Sequence, residues 1–207
     1  MINQQQHWNN IYSAKQQGEV SWTQALPQTS LNFIHAANLD KQANIIDVGG
    51  GDSRLVDFLL DEGYENISVL DISKQALNRA KQRLGEKAIK VNWIVSDIIH
   101  FVPAISYNFW HDRAAFHFLN EIQIEKYLST ARQAIEENGF MMIATFSENG
   151  PKKCSGLNVK QYNEETLINQ LKNGFEKIKC ITEDHTTPFN TTQNFLFCSF
   201  KRTSQDH

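Results

Sequence analysis

The sequence predicts an α/β fold: a doubly wound, mostly parallel sheet of seven strands whose last strand is antiparallel. Three observations predict it. Short apolar runs alternate with helical patterns from residue 44 to residue 146. A glycine triplet, 49–51, directly follows the first apolar run. The chain then ends on two strand-like runs with no helical pattern between them. Strands alternating with helices imply parallel pairing with both sheet faces covered, whereas strands joined without a crossover helix pair antiparallel.

The elements follow in order. Residues 1–27 are polar but carry Trp8, Tyr12 and Trp22, with a short helix expected near 4–17. Leu31, Ile34 and Leu39 fall on one face of a helix over 28–39. "NIIDV" (44–48) is the first strand, and "SRLVDFLLDEG" is a helix stopped by Gly63. "ISVLD" (67–71) is the second strand, and "SKQALNRAKQRLG" a helix with Ser73 as N-cap and Gly85 at its end. "KVNWIVSD" (90–97) and "YNFWHD" (107–112) are the third and fourth strands. Ile122, Tyr127, Leu128, Ala131, Ala134 and Ile135 mark a helix over 121–137. "GFMMIATF" (139–146) is a fifth strand, apolar enough to be buried on both faces. Residues 175–183 and 194–202 close the sheet, with His185 on the loop between them. The expected organisation is an N-terminal lid segment, 1–27, and a single domain, 28–207.

Composition narrows the function. The 207 residues are 41% hydrophobic and 21% charged, with 20 Lys and Arg against 23 Asp and Glu. That balance lacks the basic excess that a nucleic acid selects. "MINQQQHWNN" has neither a basic nor an apolar signal region, and no apolar run approaches the ~18 residues of a membrane span. The expectation is a cytoplasmic protein that engages no membrane, with Cys154, Cys180 and Cys198 as reduced thiols. No metal site is expected.

The glycine triplet raises the question of its ligand. In an open α/β sheet, ligands sit beyond the carboxyl ends of the strands. Asp47, Asp71, Asp97 and Asp112 lie in or at the ends of the first four strands. Asp71 stands 20 residues after Gly51, the spacing at which a carboxylate meets ribose hydroxyls. Asp97 is placed to meet an adenine amino group, with Ile98 against the ring. "GGGDSR", however, puts Asp52 in the loop and Arg54 where a dinucleotide loop has its third glycine. An acid there disfavours a pyrophosphate but suits S-adenosylmethionine, which carries cationic groups and no phosphate.

The chain resembles a class I S-adenosylmethionine-dependent methyltransferase. "IIDVGGG", "VLDIS", "VSDI" and "YNFWHDRAAFHFL" resemble the family's first four motifs, and "LSTARQAIEENGFMMIATF" the helix, turn and strand that follow. "HWNNIYSAKQQGEVSW" and "HDRAAF" are similar to a bacterial subgroup with thiopurine- and thiol-methyltransferase features. The resemblance implies a Rossmann-like sheet and cofactor contacts at Asp47, Gly49, Gly50, Gly51, Asp71, Ile72, Asp97, Ile98 and His111. It also implies that Trp8 and Trp22 fold over the cofactor, where aromatic faces attract a sulfonium.

On the acceptor side, His111, Asp112 and Arg113 are the candidate catalytic residues; Arg113 is placed either to clamp an anionic acceptor or to pair with a site carboxylate. Strand alternation sends His111 and Asp112 to opposite faces. His117 reads as a packed histidine, Cys154 as a loop residue beside the site, and His185 as a surface histidine. The expected reaction is methyl transfer to a small-molecule acceptor, a thiol or another soft nucleophile. The alternatives are a protein lysine methyltransferase, with a protein as partner, and a non-catalytic cofactor-binding protein.

Overall fold

A computed structural model describes residues 3–203; residues 1–2 of the expected lid and 204–207 of the expected domain lie outside the described residues. Seven strands form one sheet: β1 (Asn44–Val48), β2 (Asn66–Asp71), β3 (Val91–Val95), β4 (Tyr107–Arg113), β5 (Ile135–Phe146), β6 (Phe175–Thr186) and β7 (Thr192–Arg202). Their spatial order is β3-β2-β1-β4-β5-β7-β6. β1 to β5 pair in parallel, while β7 runs antiparallel to both β5 and β6. The order reverses at β1 and β4, which opens a crevice beyond their carboxyl ends.

Local signals set the helices α1 (Gln4–Ala14), α2 (Gln28–Ala36), α3 (Leu55–Asp61), α4 (Lys74–Leu84), α5 (Glu121–Ala134) and α6 (Glu164–Leu171). The Ser73 hydroxyl accepts from the Ala76 N–H at 3.2 Å and caps α4, which Gly85 ends at a φ of 57°. Asn120 and Gln123 cap α5 reciprocally. That helix stops at Ala134, short of the expected 137, because β5 begins at Ile135, pairs there with Tyr107 and shifts register before Phe140. α6 is an element the apolar pattern did not single out. Its signals are short: the Asn163–Thr166 capping box and Leu167 and Leu171 one turn apart. A two-stranded ribbon pairs Lys153–Cys154 with Leu157–Asn158 beside the sheet.

Two buried layers sandwich the sheet. Trp110, Met141, Ile143 and Phe200 meet α5 and α6 through Tyr127, Ala131, Leu167 and Leu171 on one face. Phe109, Met142, Ala144 and Phe197 meet Leu31, Ile34, Leu55 and Leu77 on the other. Burying each large apolar side chain contributes about 1.5–3 kcal/mol, so this double layer holds the strand ends rigid around the crevice.

The expectation of three reduced thiols is corrected at the far edge. Cys180 on β6 lies directly opposite Cys198 on β7, with Cα atoms 4.1 Å apart, and the two form a disulfide. The cross-strand pairing sets the two side chains directly opposite each other on neighbouring strands, within reach of a disulfide. Cys154 stays free and buried. Among the described residues no helix is long and apolar enough to cross a membrane.

Candidate active site

The site starts with the turn after β1. The Gly49 and Gly50 N–H groups donate to the Leu70 carbonyl at 2.8 and 3.2 Å, tying the turn to the end of β2. Gly49 has a φ of +67°, and a Cβ there would stand 2.6 Å from the Ala115 Cβ. A Cβ on Gly50 would meet Asp47 Oδ2 at 2.6 Å. Side chains are therefore excluded and bare backbone is left facing the crevice.

Beyond this turn lies one continuous cavity. It is lined by Trp8, Trp22, Asp47, Gly49, Gly50, Asp71, Ile72, Asp97, Ile98, His111 and Arg113 among the residues expected from sequence. Two expected residues are not among its lining. Gly51 lies beneath the Tyr12 hydroxyl, 2.6 Å from where its Cβ would stand. Asp112 is on the opposite face of β4 from His111 and Arg113. Its Oδ1 accepts from the Ala115 and Phe116 N–H groups, and its Oδ2 accepts from the Tyr127 hydroxyl at 2.8 Å. Burial raises its pKa to about 6. The structure thus corrects the candidate catalytic role of Asp112: it anchors the turn after β4, because alternation along the strand turns it away from the cavity.

His111 also differs from a free base. Its Nδ1 donates to Asp47 Oδ1 at 2.7 Å, and its Nε2 lies 2.9 Å from Ser30 Oγ. Both nitrogens are engaged and the ring is buried, so His111 fixes Asp47 in place beneath Gly50.

Asp71 closes β2 with 6% exposure. It accepts from the Ser73 N–H at 2.7 Å. Burial, aided by the charges of Asp47 and Asp52, pushes its pKa up to about 7. Asp97 lies two residues past β3, half-buried, and accepts from the Ile99 N–H at 3.1 Å. Asp52 is buried, with Arg79 Nε 3.6 Å from its Oδ2. Burial raises its pKa and the neighbouring arginines oppose that shift. The loop acid is therefore countered by a cation from α4, which sequence spacing did not indicate.

The N-terminal segment roofs the cavity. Trp8 packs against Trp22 and Phe118, with ring centroids 5.9 and 5.2 Å apart, and Tyr12 lies 6.1 Å from Trp22. α1 docks on α4: Ser73 Oγ donates to Asn9 Oδ1, and Arg79 Nη1 donates to the carbonyls of Tyr12 and Lys15. Tyr12 belongs to the site because it lines the cavity with its hydroxyl over Gly51; the only sequence signal was an aromatic on a polar segment.

The far end of the cavity is built by Arg113, Phe118, Phe146, Cys154 and Phe195. Arg113 lies over the Phe195 ring, 4.7 Å from its centroid, and Nη1 donates to the Trp22 carbonyl at 3.1 Å. Burial lowers its pKa to about 10. Burial raises the Cys154 thiol to about 11, so it is not an ionised nucleophile at neutral pH. His117 is the packed histidine expected: its Nδ1 accepts from the Phe146 N–H, and burial drives its pKa down to about 3. His185 lies within β6 and not on a surface loop; it is buried, and its Nε2 donates to the Ser21 carbonyl at 2.8 Å.

Residues 45–139 match the family described as a methyltransferase domain, a segment that spans the glycine turn, Asp71, Asp97 and β4. EEF1A lysine methyltransferase 2 of Danio rerio is 22% identical over 84% of this chain and 76% of its own length. Among solved structures, one concerned with converting a disulfide bond into a thioacetal group during echinomycin biosynthesis has a TM-score of 0.80 at 14% identity, covering 98% of this chain and 94% of that one. The N-methyltransferase NodS of Bradyrhizobium japonicum, in complex with S-adenosylhomocysteine, has a TM-score of 0.73 at 13% identity, covering 97% and 99%. These structures share the fold. The domain match covers the segment that carries the site and makes S-adenosylmethionine the ligand to test against it. The residues present fit that molecule: a cradle that any Cβ at Gly49 or Gly50 would fill, and a buried carboxylate at Asp71 suited to a diol.

Proposed function

We propose that this protein transfers a methyl group from S-adenosylmethionine to a small-molecule acceptor bearing a soft nucleophilic atom such as a thiol. Charge segregation along the cavity carries this reading. The lining acids Asp47, Asp52, Asp71 and Asp97 all belong to the β1–β3 side, whereas the β4–β5–β7 side presents Arg113, aromatic rings and the neutral Cys154. A lysine acceptor reacts as the free amine and must first shed its ammonium proton, and a cavity side that carries Arg113 and no acid does not draw an ammonium in. A thiol, with its ordinary pKa of about 8.5, enters neutral and needs little help to lose its proton.

Bound S-adenosylmethionine supplies an electrophilic methyl group on a sulfonium. In this reading Asp71 accepts from the ribose hydroxyls and Asp97 from the adenine amino group, with Ile72 and Ile98 against the base. Gly49 and Gly50 admit the chain of the donor, while His111 orients Asp47 toward it. Residues 1–27 act as a lid through Trp8, Tyr12 and Trp22, excluding water and aligning donor with acceptor. Arg113 and the surrounding rings hold the acceptor.

The zebrafish relative favours a second reading, in which a protein lysine is the acceptor. Labelled methyl donor incubated with fractionated cell lysate separates the two. Label in the small-metabolite fraction supports the proposal, and label confined to protein refutes it.

A further inference from the structure

The buried cation at the acceptor end lacks a partner suited to it. Arg113 Nε and Nη2 are both shielded from solvent and have no hydrogen-bond partner among the described residues. The third nitrogen is satisfied by a neutral carbonyl, that of Trp22. The carboxylates within electrostatic reach, Glu183 and Asp47, are used elsewhere: Glu183 accepts from the Thr29 hydroxyl, and Asp47 from His111. Neither comes within ion-pair distance of the guanidinium among the described residues. Leaving a buried charged donor unpaired is unfavourable, so a site that keeps one is built for an anion that arrives with the ligand. Nε and Nη2 form one edge of the planar guanidinium, and two parallel N–H groups on that edge match the two oxygens of a carboxylate.

The surroundings define the rest of the ligand. Arg113 lines the cavity from β4, across β1 from Asp71 on β2, so this residue stands on the side away from that acid. Phe118, Phe146 and Phe195 wall that side, and Phe195 carries the guanidinium on its ring face. We propose that the acceptor is a carboxylate-bearing compound with a planar, unsaturated body, its carboxylate seated on Arg113 Nε and Nη2 and its body against the Phe118, Phe146 and Phe195 rings. This rests on the methyltransferase reading and names the substrate class within it.

Calorimetric titration tests the assignment with benzoate and its neutral counterpart benzamide, each against wild type, Arg113→Gln and Arg113→Lys, with and without saturating S-adenosylhomocysteine. The affinity for S-adenosylhomocysteine is measured separately on all three proteins. The expected result is that wild type binds benzoate at least tenfold tighter than benzamide. Arg113→Gln abolishes that preference, Arg113→Lys retains part of it, and neither changes S-adenosylhomocysteine affinity more than threefold. Equal binding of the two probes by wild type overturns the proposal. So does a tenfold loss of S-adenosylhomocysteine affinity in Arg113→Gln with the benzoate preference intact, because the cation would then serve the donor. Arg113→Lys keeps the charge and guards against a folding defect in the glutamine variant. Failure of wild type to bind S-adenosylhomocysteine would instead defeat the methyltransferase reading, while the titrations without it still decide whether Arg113 selects a carboxylate.

Discussion

Replacing Asp71 by Asn should make the unliganded protein more stable at pH 8 while making it a worse binder. Burial, with Asp47 and Asp52 nearby, raises the Asp71 pKa to about 7. An unfolded chain releases that proton near pH ~3.9. Between those values the folded state holds a proton the unfolded state has lost, so stability falls as pH rises from about 4 through about 7 and then levels off. A shift of roughly three units at ~1.4 kcal/mol each sets the full loss at about 4 kcal/mol. Asp112, raised to about 6, adds a loss of the same sign and persists in the variant. Asn retains the oxygen that accepts from the Ser73 N–H but carries no charge, so the variant lacks the Asp71 share of the slope. Urea unfolding at pH 5 and pH 8 on both proteins reads this difference. Wild type should lose about 2.6 kcal/mol more than Asp71→Asn across that interval and should bind S-adenosylhomocysteine more tightly. Parallel stability profiles for the two proteins would refute the claim that Asp71 is a desolvated carboxylate.

Three further outcomes follow from the same geometry. Asp71→Ala should weaken S-adenosylhomocysteine binding by tenfold or more, since a hydrogen bond to a charged group contributes about 1.5–3 kcal/mol; Asp61→Ala, which removes only an exposed ion pair with Lys87, should leave it unchanged in calorimetry. Gly50→Ala should likewise abolish binding while leaving a folded protein by circular dichroism, because its Cβ would press on Asp47 Oδ2 and displace the Asp47–His111 pair. Reducing the Cys180–Cys198 disulfide, which spans a sequence separation of 18, should lower urea stability by about 3 kcal/mol on the chain-entropy account, with no change in cofactor affinity, since the bond lies at the sheet edge away from the glycine turn.

The pattern of residues made the parallel sheet legible because its strands are apolar runs, most of them separated by helices, and local signals such as Ser73 and Gly85 bound α4. The acids at the strand ends were legible for the same reason, since a parallel sheet brings every carboxyl end to one side. Side-chain partners were not, because they depend on which elements meet. Nothing near Asp52 in the chain announces Arg79, and nothing near His111 announces Ser30. The disulfide needed the register of β6 on β7, which no local signal specifies.

The most consequential of these hidden partnerships concerns "HDR" itself. Alternation in β4 predicts that His111 and Arg113 share a face and that Asp112 opposes them, but it does not say which of the three remains available to a ligand. The tertiary structure answers by subtraction. Asp112 is consumed by Tyr127 and the turn it anchors, and His111 by Asp47 and Ser30. Of the three, only Arg113 keeps two unpartnered N–H donors among the described residues, and it lines the cavity together with aromatic rings. Of three polar residues that sequence treats alike, packing fixes two as supports and leaves the cation, which we propose selects the acceptor. On the proposed reading, chemistry on this side of the cavity rests on placing an anionic acceptor in line with the donor and excluding water, and not on a side-chain base drawn from β4.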